Sequence, residues 1–131
     1  MSLRAAPLAM TYRKENPMYI KDYRELPVES SGVDGLTVRW AINASQGANN
    51  FGMRIMELEP GKSSQMHQHD NEHEIFVLAG EGEVETDGKT HPISEGCALY
   101  VAPNESHQFH NTGLGVMRFI DVVMFPVILP K

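Results

Sequence analysis

The chain has 131 residues, of which 41% are hydrophobic and 21% are charged, a balance typical of one globular domain. Its formal net charge of −6 argues against nucleic-acid binding, which requires a basic surface. No stretch resembles a membrane span, and the single cysteine, Cys97, excludes an intrachain disulfide and suits a reducing compartment. We therefore expect a cytoplasmic protein whose partner is a small molecule.

The predicted elements are almost all strands. Proline and glycine punctuate residues 1–35, which we expect to form an irregular arm with at most short strands. Residues 36–131 are predicted to be one barrel domain, with strands over residues 36–42, 51–58, 65–69, 73–78, 83–86, 89–93, 97–102, 107–111 and 116–125. Asp87-Gly88 predicts a type I′ hairpin turn. Because no stretch shows capped helical periodicity, the predicted fold class is an all-β sandwich or barrel.

Histidines give the strongest functional signal. His67, His69 and His73 lie in one short run, and His107 follows on a distant predicted strand. Imidazole is the commonest protein ligand for metals, so this spacing predicts a metal site, the alternative being a solvated histidine-rich loop. Residues two apart on a strand share a face, which places His67 and His69 together and points His110 away.

Two segments resemble the two motifs of the cupin family in order: Gly61-x5-His67-x-His69 with Gly80-x-Gly82, and Gly96-x6-Pro103-x3-His107-x3-Asn111. The resemblance covers roughly residues 36–125. It implies a single-domain cupin of the conserved-barrel type, a double-stranded β-helix or jelly roll with a metal inside the barrel mouth.

One position departs from the common pattern. Most metal-binding cupins carry a glutamate where this chain has His73, and the set His67, His69, His73 and His107 resembles the small cupins that bind manganese through four histidines. The resemblance implies one divalent ion held by these four residues, with manganese expected and iron, nickel, zinc or copper as alternatives.

The donor set has chemical consequences. Four neutral imidazoles leave the charge of a divalent ion uncompensated, which strengthens it as a Lewis acid and favours anionic ligands. Four protein donors on a six-coordinate ion leave two positions, enough for a chelating substrate or for dioxygen beside a substrate.

Two charged residues interrupt apolar strands. Arg54 and Asp121 are expected to be buried, where a charge is costly unless it is paired. Either both line the pocket, with Arg54 binding a substrate carboxylate or enolate and Asp121 acting as a general base if its pKa is raised, or they pair structurally. Positions lining the pocket in similar small cupins favour the first hypothesis, and strand parity adds Phe119 and Val123 as an apolar wall.

The leading hypothesis for function is a metal-dependent oxygenase or dioxygenase that acts on a small organic molecule. The alternatives are a Lewis-acid isomerase or lyase, and a metal-binding or ligand-binding cupin without turnover. We also expect a homodimer, because the strand-like arm before residue 36 can pair across a two-fold axis.

Overall fold

The computed structural model describes residues 18–125. Residues 1–17 of the expected arm and residues 126–131 of the expected barrel domain lie outside the described part. The strands, in chain order, are β1 (Glu29–Val33), β2 (Leu36–Ile42), β3 (Phe51–Leu58), β4 (His73–Ala79), β5 (Glu81–Thr86), β6 (Lys89–Ser94), β7 (Ala98–Val101), β8 (Gln108–His110) and β9 (Met117–Met124). Two short 3-10 turns, Tyr23–Glu25 and Ala44–Gln46, are the helical elements of residues 18–125. None of them is long or apolar enough to cross a membrane.

The strands form two antiparallel sheets. One sheet has six strands in the order β1-β2-β3-β9-β4-β7, and the other has three in the order β6-β5-β8. The long connection from β4 to its neighbour β9 is the kind of crossover that a jelly roll requires. The predicted all-β jelly-roll class is therefore confirmed.

Alternating residues of these strands fill the core between the sheets. Leu58, Val77 and Met117 are completely buried, and the rings of Phe109 and Phe119 pack with their centroids 5.2 Å apart. Strands β4 and β9 therefore bury every second side chain, as the alternation in the sequence predicts.

Two glycine positions explain how the chain turns and how the sheet packs. Asp87 and Gly88 both have positive φ angles, 55° and 75°, as the predicted type I′ turn requires. Gly82 lies in β5 directly against β8, where a Cβ atom would overlap the carbonyl oxygen of His110. Only glycine therefore allows the two strands to approach this closely.

The segment before β4 differs from the prediction. Residues 65–69 do not form a regular strand, and two isolated bridges, Ser63 to His110 and His67 to His107, join this part of the chain to the region of β8. The backbone of His67 both donates to and accepts from His107, at 3.2 and 3.0 Å. The pairing still places His67 beside His107, although the segment is too irregular and polar to continue the ladder.

Part of the expected arm belongs to the large sheet. β1 pairs with β2 and forms one edge of the sheet, with a register irregularity between Ser30 and Val33. Ahead of β1, the Tyr23 ring lies 5.5 Å from the guanidinium carbons of both Arg39 and Arg118. The described arm is thus tied to the outer face of the sheet of its own chain.

Candidate metal centre

Four imidazoles converge inside the barrel. His73 is the first residue of β4, His107 directly precedes β8, and His67 and His69 lie in the irregular segment between β3 and β4. The centroids of His67 and His107 are 4.6 Å apart and those of His69 and His73 are 4.1 Å apart. The sequence prediction that these four residues meet is therefore matched by their positions.

Three of these residues form a group that can hold a metal ion. One ring nitrogen each from His67, His69 and His107 lies within 4.8 Å of the others. The Nε2 atom of His73 faces the Nε2 atom of His69, so the fourth ring is directed toward the same point. Because His69, His73 and His107 are buried, an ion placed there would be largely removed from solvent.

Backbone hydrogen bonds on the far side of two rings orient them. The Nδ1 atoms of His69 and His107 lie 2.8 Å from the carbonyl oxygens of Asn71 and Glu105. Because a carbonyl oxygen only accepts, these Nδ1 atoms must carry the proton, and each Nε2 presents a lone pair. Histidines that ligate metals are held in the same way.

His67 provides an independent test of fit. Its Nδ1 atom is buried and has no hydrogen-bond partner among residues 18–125. A buried polar atom without a partner is costly, and coordination of its lone pair to a cation would offset that cost. His67, His69 and His107 therefore fit a metal ion.

The electrostatics of the rings favour the form that binds metals. Burial and the neighbouring histidines lower the pKa of His67 from 6.5 to about 4. Burial also lowers the pKa of His69 and of His107. These imidazoles are therefore neutral at pH 7, and neutral imidazole is the form that coordinates metals.

Arg54 and Asp121 pair with each other and also lie at the centre. They are register partners on β3 and β9, and an Asp121 oxygen, Oδ2, forms an ion pair with the guanidinium of Arg54. The other oxygen, Oδ1, accepts a hydrogen bond from His73 Nδ1 at 2.6 Å. The two hypotheses left open by the sequence, a pocket role and a structural pair, therefore describe one arrangement.

The expected role of Asp121 as a general base is not supported. Burial alone would raise the pKa of Asp121, but the hydrogen bond from His73 and the charge of Arg54 outweigh burial and hold the pKa below its usual range. A carboxylate with both oxygens engaged and a lowered pKa is a poor proton acceptor. Its position instead suits the orientation of His73.

A cavity of about 420 Å³ opens beside three of the four rings. It is lined by Glu29, Ser30, Ser31, Val33, Leu36, Val38, Trp40, Arg54, Met56, Ser64, Gln65, His67, His69, Asn71, His73 and Val123. Its apolar side comes mainly from β2 and β3, and its polar side comes from the segment that carries the histidines and from β1. The cavity is large enough for a small organic molecule.

Of the four pocket residues named from the sequence, Arg54 and Val123 line this cavity. Phe119 does not, because its side chain packs against Phe109 in the core below the centre. Asp121 lies behind His73. The sequence reasoning missed Trp40, although it shares strand parity with Leu36 and Val38 and that signal was sufficient to find it.

The two remaining histidines lie elsewhere, as strand parity predicts. His91 is exposed on β6. His110 bonds Ser63 at 2.6 Å and Glu85 at 3.0 Å on the small sheet.

Comparison with known families agrees with this geometry. The cupin-domain model Cupin_2 matches residues 54–123, which contain all four converging histidines. The chain belongs to the cupin family. This cupin is 39% identical over 70 residues to an oxalate-binding protein of Thermotoga maritima, covering 53% of this chain and 58% of that protein. It is 34% identical over 68 residues to protein SchB of Streptomyces halstedii, covering 51% of this chain and 49% of that protein. The cupin chain thus spans about half the length of the curated relatives it matches.

Solved structures extend the likeness beyond the matched domain. The cupin aligns with the polyketide cyclase RemF from Streptomyces resistomycificus at a TM-score of 0.78 and 27% identity, covering 86% of this chain and 84% of that one. It aligns with a predicted oxalate decarboxylase from Thermotoga maritima at a TM-score of 0.71 and 27% identity, covering 81% of this chain and 98% of that one. The similarity therefore includes most of the described strands.

Proposed function

We propose that this cupin is a divalent-metal-dependent enzyme that acts on a small organic carbonyl compound at a centre formed by His67, His69, His73 and His107. The observation that carries the proposal is the convergence of four imidazoles, three of which line a cavity of about 420 Å³. A metal without an adjoining cavity would indicate a structural site. A metal beside an accessible cavity is the arrangement of a catalytic one.

The bound ion would supply a Lewis acid that polarises a substrate oxygen. Manganese is the metal we propose, with iron, nickel, zinc or copper as alternatives, since imidazole ligands suit several of these ions. The Nδ1 hydrogen bonds hold the rings of His69 and His107 in orientation, and the apolar side chains of β2 and β3 limit the access of water to one side of the substrate. The chain's own contribution is therefore orientation and a partly apolar cavity.

The relatives support an enzyme of this kind. A polyketide cyclase shares the fold at 27% identity over most of both chains, which favours turnover over passive binding. An oxalate-binding protein is 39% identical over 70 residues, which favours ligands with anionic oxygens. A preference for anionic ligands agrees with a centre that has no carboxylate among its proposed ligands.

A dioxygenase is the second candidate. It is favoured by the donor set itself, because four protein donors leave coordination positions for both a substrate and dioxygen on an ion that takes six ligands. Manganese and iron support this chemistry, whereas zinc, which has no redox chemistry, does not.

The metal dependence of turnover separates the candidates. The protein is stripped of metal, reloaded with manganese, iron or zinc, and offered β-diketones and catechols while oxygen uptake and products are measured. Turnover by the zinc form without oxygen uptake supports Lewis-acid chemistry, and oxygen uptake restricted to the manganese or iron form supports the dioxygenase. Failure to bind metal stoichiometrically, or full loading without turnover of any compound, contradicts the proposal of an enzyme.

A further inference from the structure

Arg54 has donor capacity that its ion pair does not use. One terminal nitrogen of its guanidinium pairs with Asp121, and the side chain remains 21% exposed. The residue also lines the cavity beside the histidines. A guanidinium offers five N–H donors in a planar fork, so a second acceptor can bind without displacing Asp121.

An aromatic surface lies directly beside this guanidinium. The Cζ atom of Arg54 is 5.4 Å from the centroid of the Trp40 ring, and Trp40 lines the same cavity. The cation–π contact holds the guanidinium over the ring. An anionic group and a flat apolar group of one ligand would therefore find Arg54 and Trp40 side by side.

The charge balance of the cavity points to an anion. The positive charge of Arg54 and the negative charge of Asp121 cancel, and imidazoles that bind a metal are neutral. A divalent ion at the proposed centre therefore adds two positive charges that no buried carboxylate on the cavity wall offsets. Glu29, the acidic residue of the lining, is exposed on the edge strand. A buried net charge of this kind favours an anionic ligand.

We propose that Arg54 and Trp40 form an anion subsite, and that the substrate is a planar unsaturated compound bearing a carboxylate or an enolate. The anionic oxygen is bound by the part of the Arg54 guanidinium that faces the cavity, and the planar body packs against Trp40 and the apolar side chains of β2. This inference deepens the proposed function, on which its placement beside the metal rests. The subsite itself is built from residues of the chain and is testable without metal.

Trp40 provides the assay, because it is the single tryptophan of the chain. Quenching of its fluorescence is titrated with benzoate and with benzamide, which have the same shape but differ in charge, using metal-free and zinc-loaded protein. We expect the wild type to bind benzoate more tightly than benzamide in both forms. Absence of benzoate binding, or equal affinity for the two compounds, overturns the subsite.

Arg54→Lys keeps the positive charge opposite Asp121 but removes the planar set of guanidinium N–H donors. Because hydrogen bonds to charged groups are the stronger class, we expect benzoate affinity of the metal-free protein to fall about tenfold or more, with benzamide affinity changed less than about twofold. The matched control is Arg118→Lys, since Arg118 also pairs with a carboxylate across the sheet, Glu57, but lies on the opposite face. Unchanged benzoate binding in Arg54→Lys, or an equal loss in Arg118→Lys, overturns the assignment.

Two further measurements keep the test decisive if Arg54→Lys does not fold. In Trp40→Leu, calorimetry should show weaker affinity for benzoate and benzamide alike. In the wild type, the ratio of the two affinities measures the preference for a negative charge without any variant. Measurements on the metal-free protein also separate the two proposals. If Arg54→Lys binds benzoate as tightly as the wild type while the protein still binds metal, the subsite alone is refuted. If Arg54→Lys weakens benzoate binding but the protein binds no metal, the proposed enzyme alone is refuted.

Discussion

Replacing Asp121 by asparagine removes one negative charge from behind His73 while nearly preserving shape. Asp121 is 3% exposed, and its Oδ1 lies 2.6 Å from His73 Nδ1. An amide oxygen still accepts that hydrogen bond, so His73 keeps its orientation but loses the charge that makes its ring a stronger donor to a metal. Substitution of such outer partners lowers metal affinity by about ten- to hundredfold, or about 1.4 to 2.8 kcal/mol.

The same change affects stability. It leaves Arg54 without its carboxylate partner, and breaking a buried pair costs about 3 to 5 kcal/mol when the remaining charge is fully buried. Because the Arg54 side chain is 21% exposed, water recovers part of this cost, and we expect a loss of about 2 to 4 kcal/mol in the free energy of unfolding. The folded-state pKa of Asp121 is lowered, so this contribution is present above the unfolded pKa and is lost as the pH falls through the folded value.

The assay measures zinc affinity by competition with a chromophoric chelator, the visible spectrum of the cobalt-loaded protein, and urea denaturation of the metal-free protein. The matched control is Glu57→Gln, because Glu57 pairs with Arg39 and Arg118 on the opposite face of the sheet. We expect the control to lose stability but to keep its zinc affinity and cobalt spectrum. Wild-type affinity and spectrum in Asp121→Asn would refute both the charge argument and the proposal that His73 is a ligand.

Further predictions follow from other parts of the structure. His73→Ala should lower metal content in elemental analysis, whereas His91→Ala should retain one metal per chain; equal contents would exclude His73 from the site. Because folding lowers the pKa of His67 from 6.5 to about 4, the unfolded chain binds a proton that the folded one excludes, so the metal-free protein should lose stability as the pH falls from about 6.5 toward 4. A urea midpoint that stays constant over that range would contradict this. Gly82→Ala should unfold at a markedly lower temperature than Gly88→Ala, because only the former adds a Cβ atom against a backbone oxygen. We propose that the chain is a homodimer, which sedimentation as a monomer at micromolar concentration would disprove.

Much of the candidate metal site could be predicted because the patterns that indicate it involve residues close together in the sequence. The short run from His67 to His73 and the periodicity of the strands depend on neighbouring residues, so spacing alone brought the right side chains together. The four imidazoles lie together even though residues 65–69 are not a regular strand, because the bridge from His67 to His107 preserves the facing that a strand would impose.

The pocket was harder to predict because it depends on distant pairings. Arg54 and Asp121 are 67 residues apart, and only the register of β3 on β9 decides whether they meet. The lowered pKa of Asp121 follows from that meeting, so no local pattern indicates it. β1 contributes a wall of the cavity with the sequence Glu-Ser-Ser-Gly-Val, which has almost no apolar alternation to reveal a buried face.

The two sides of the cavity differ in how firmly the fold holds them. His73 and Arg54 lie on strands with a neighbour on each side, whereas β1 is bonded to β2 alone within the described sheet and its register is interrupted. Edge segments with few ladder bonds open at lower free energy than central strands. Local opening of β1 therefore exposes the cavity while His73 and Arg54 stay in place. Changes in β1 can in this way alter which molecules enter without disturbing the chemistry at the centre.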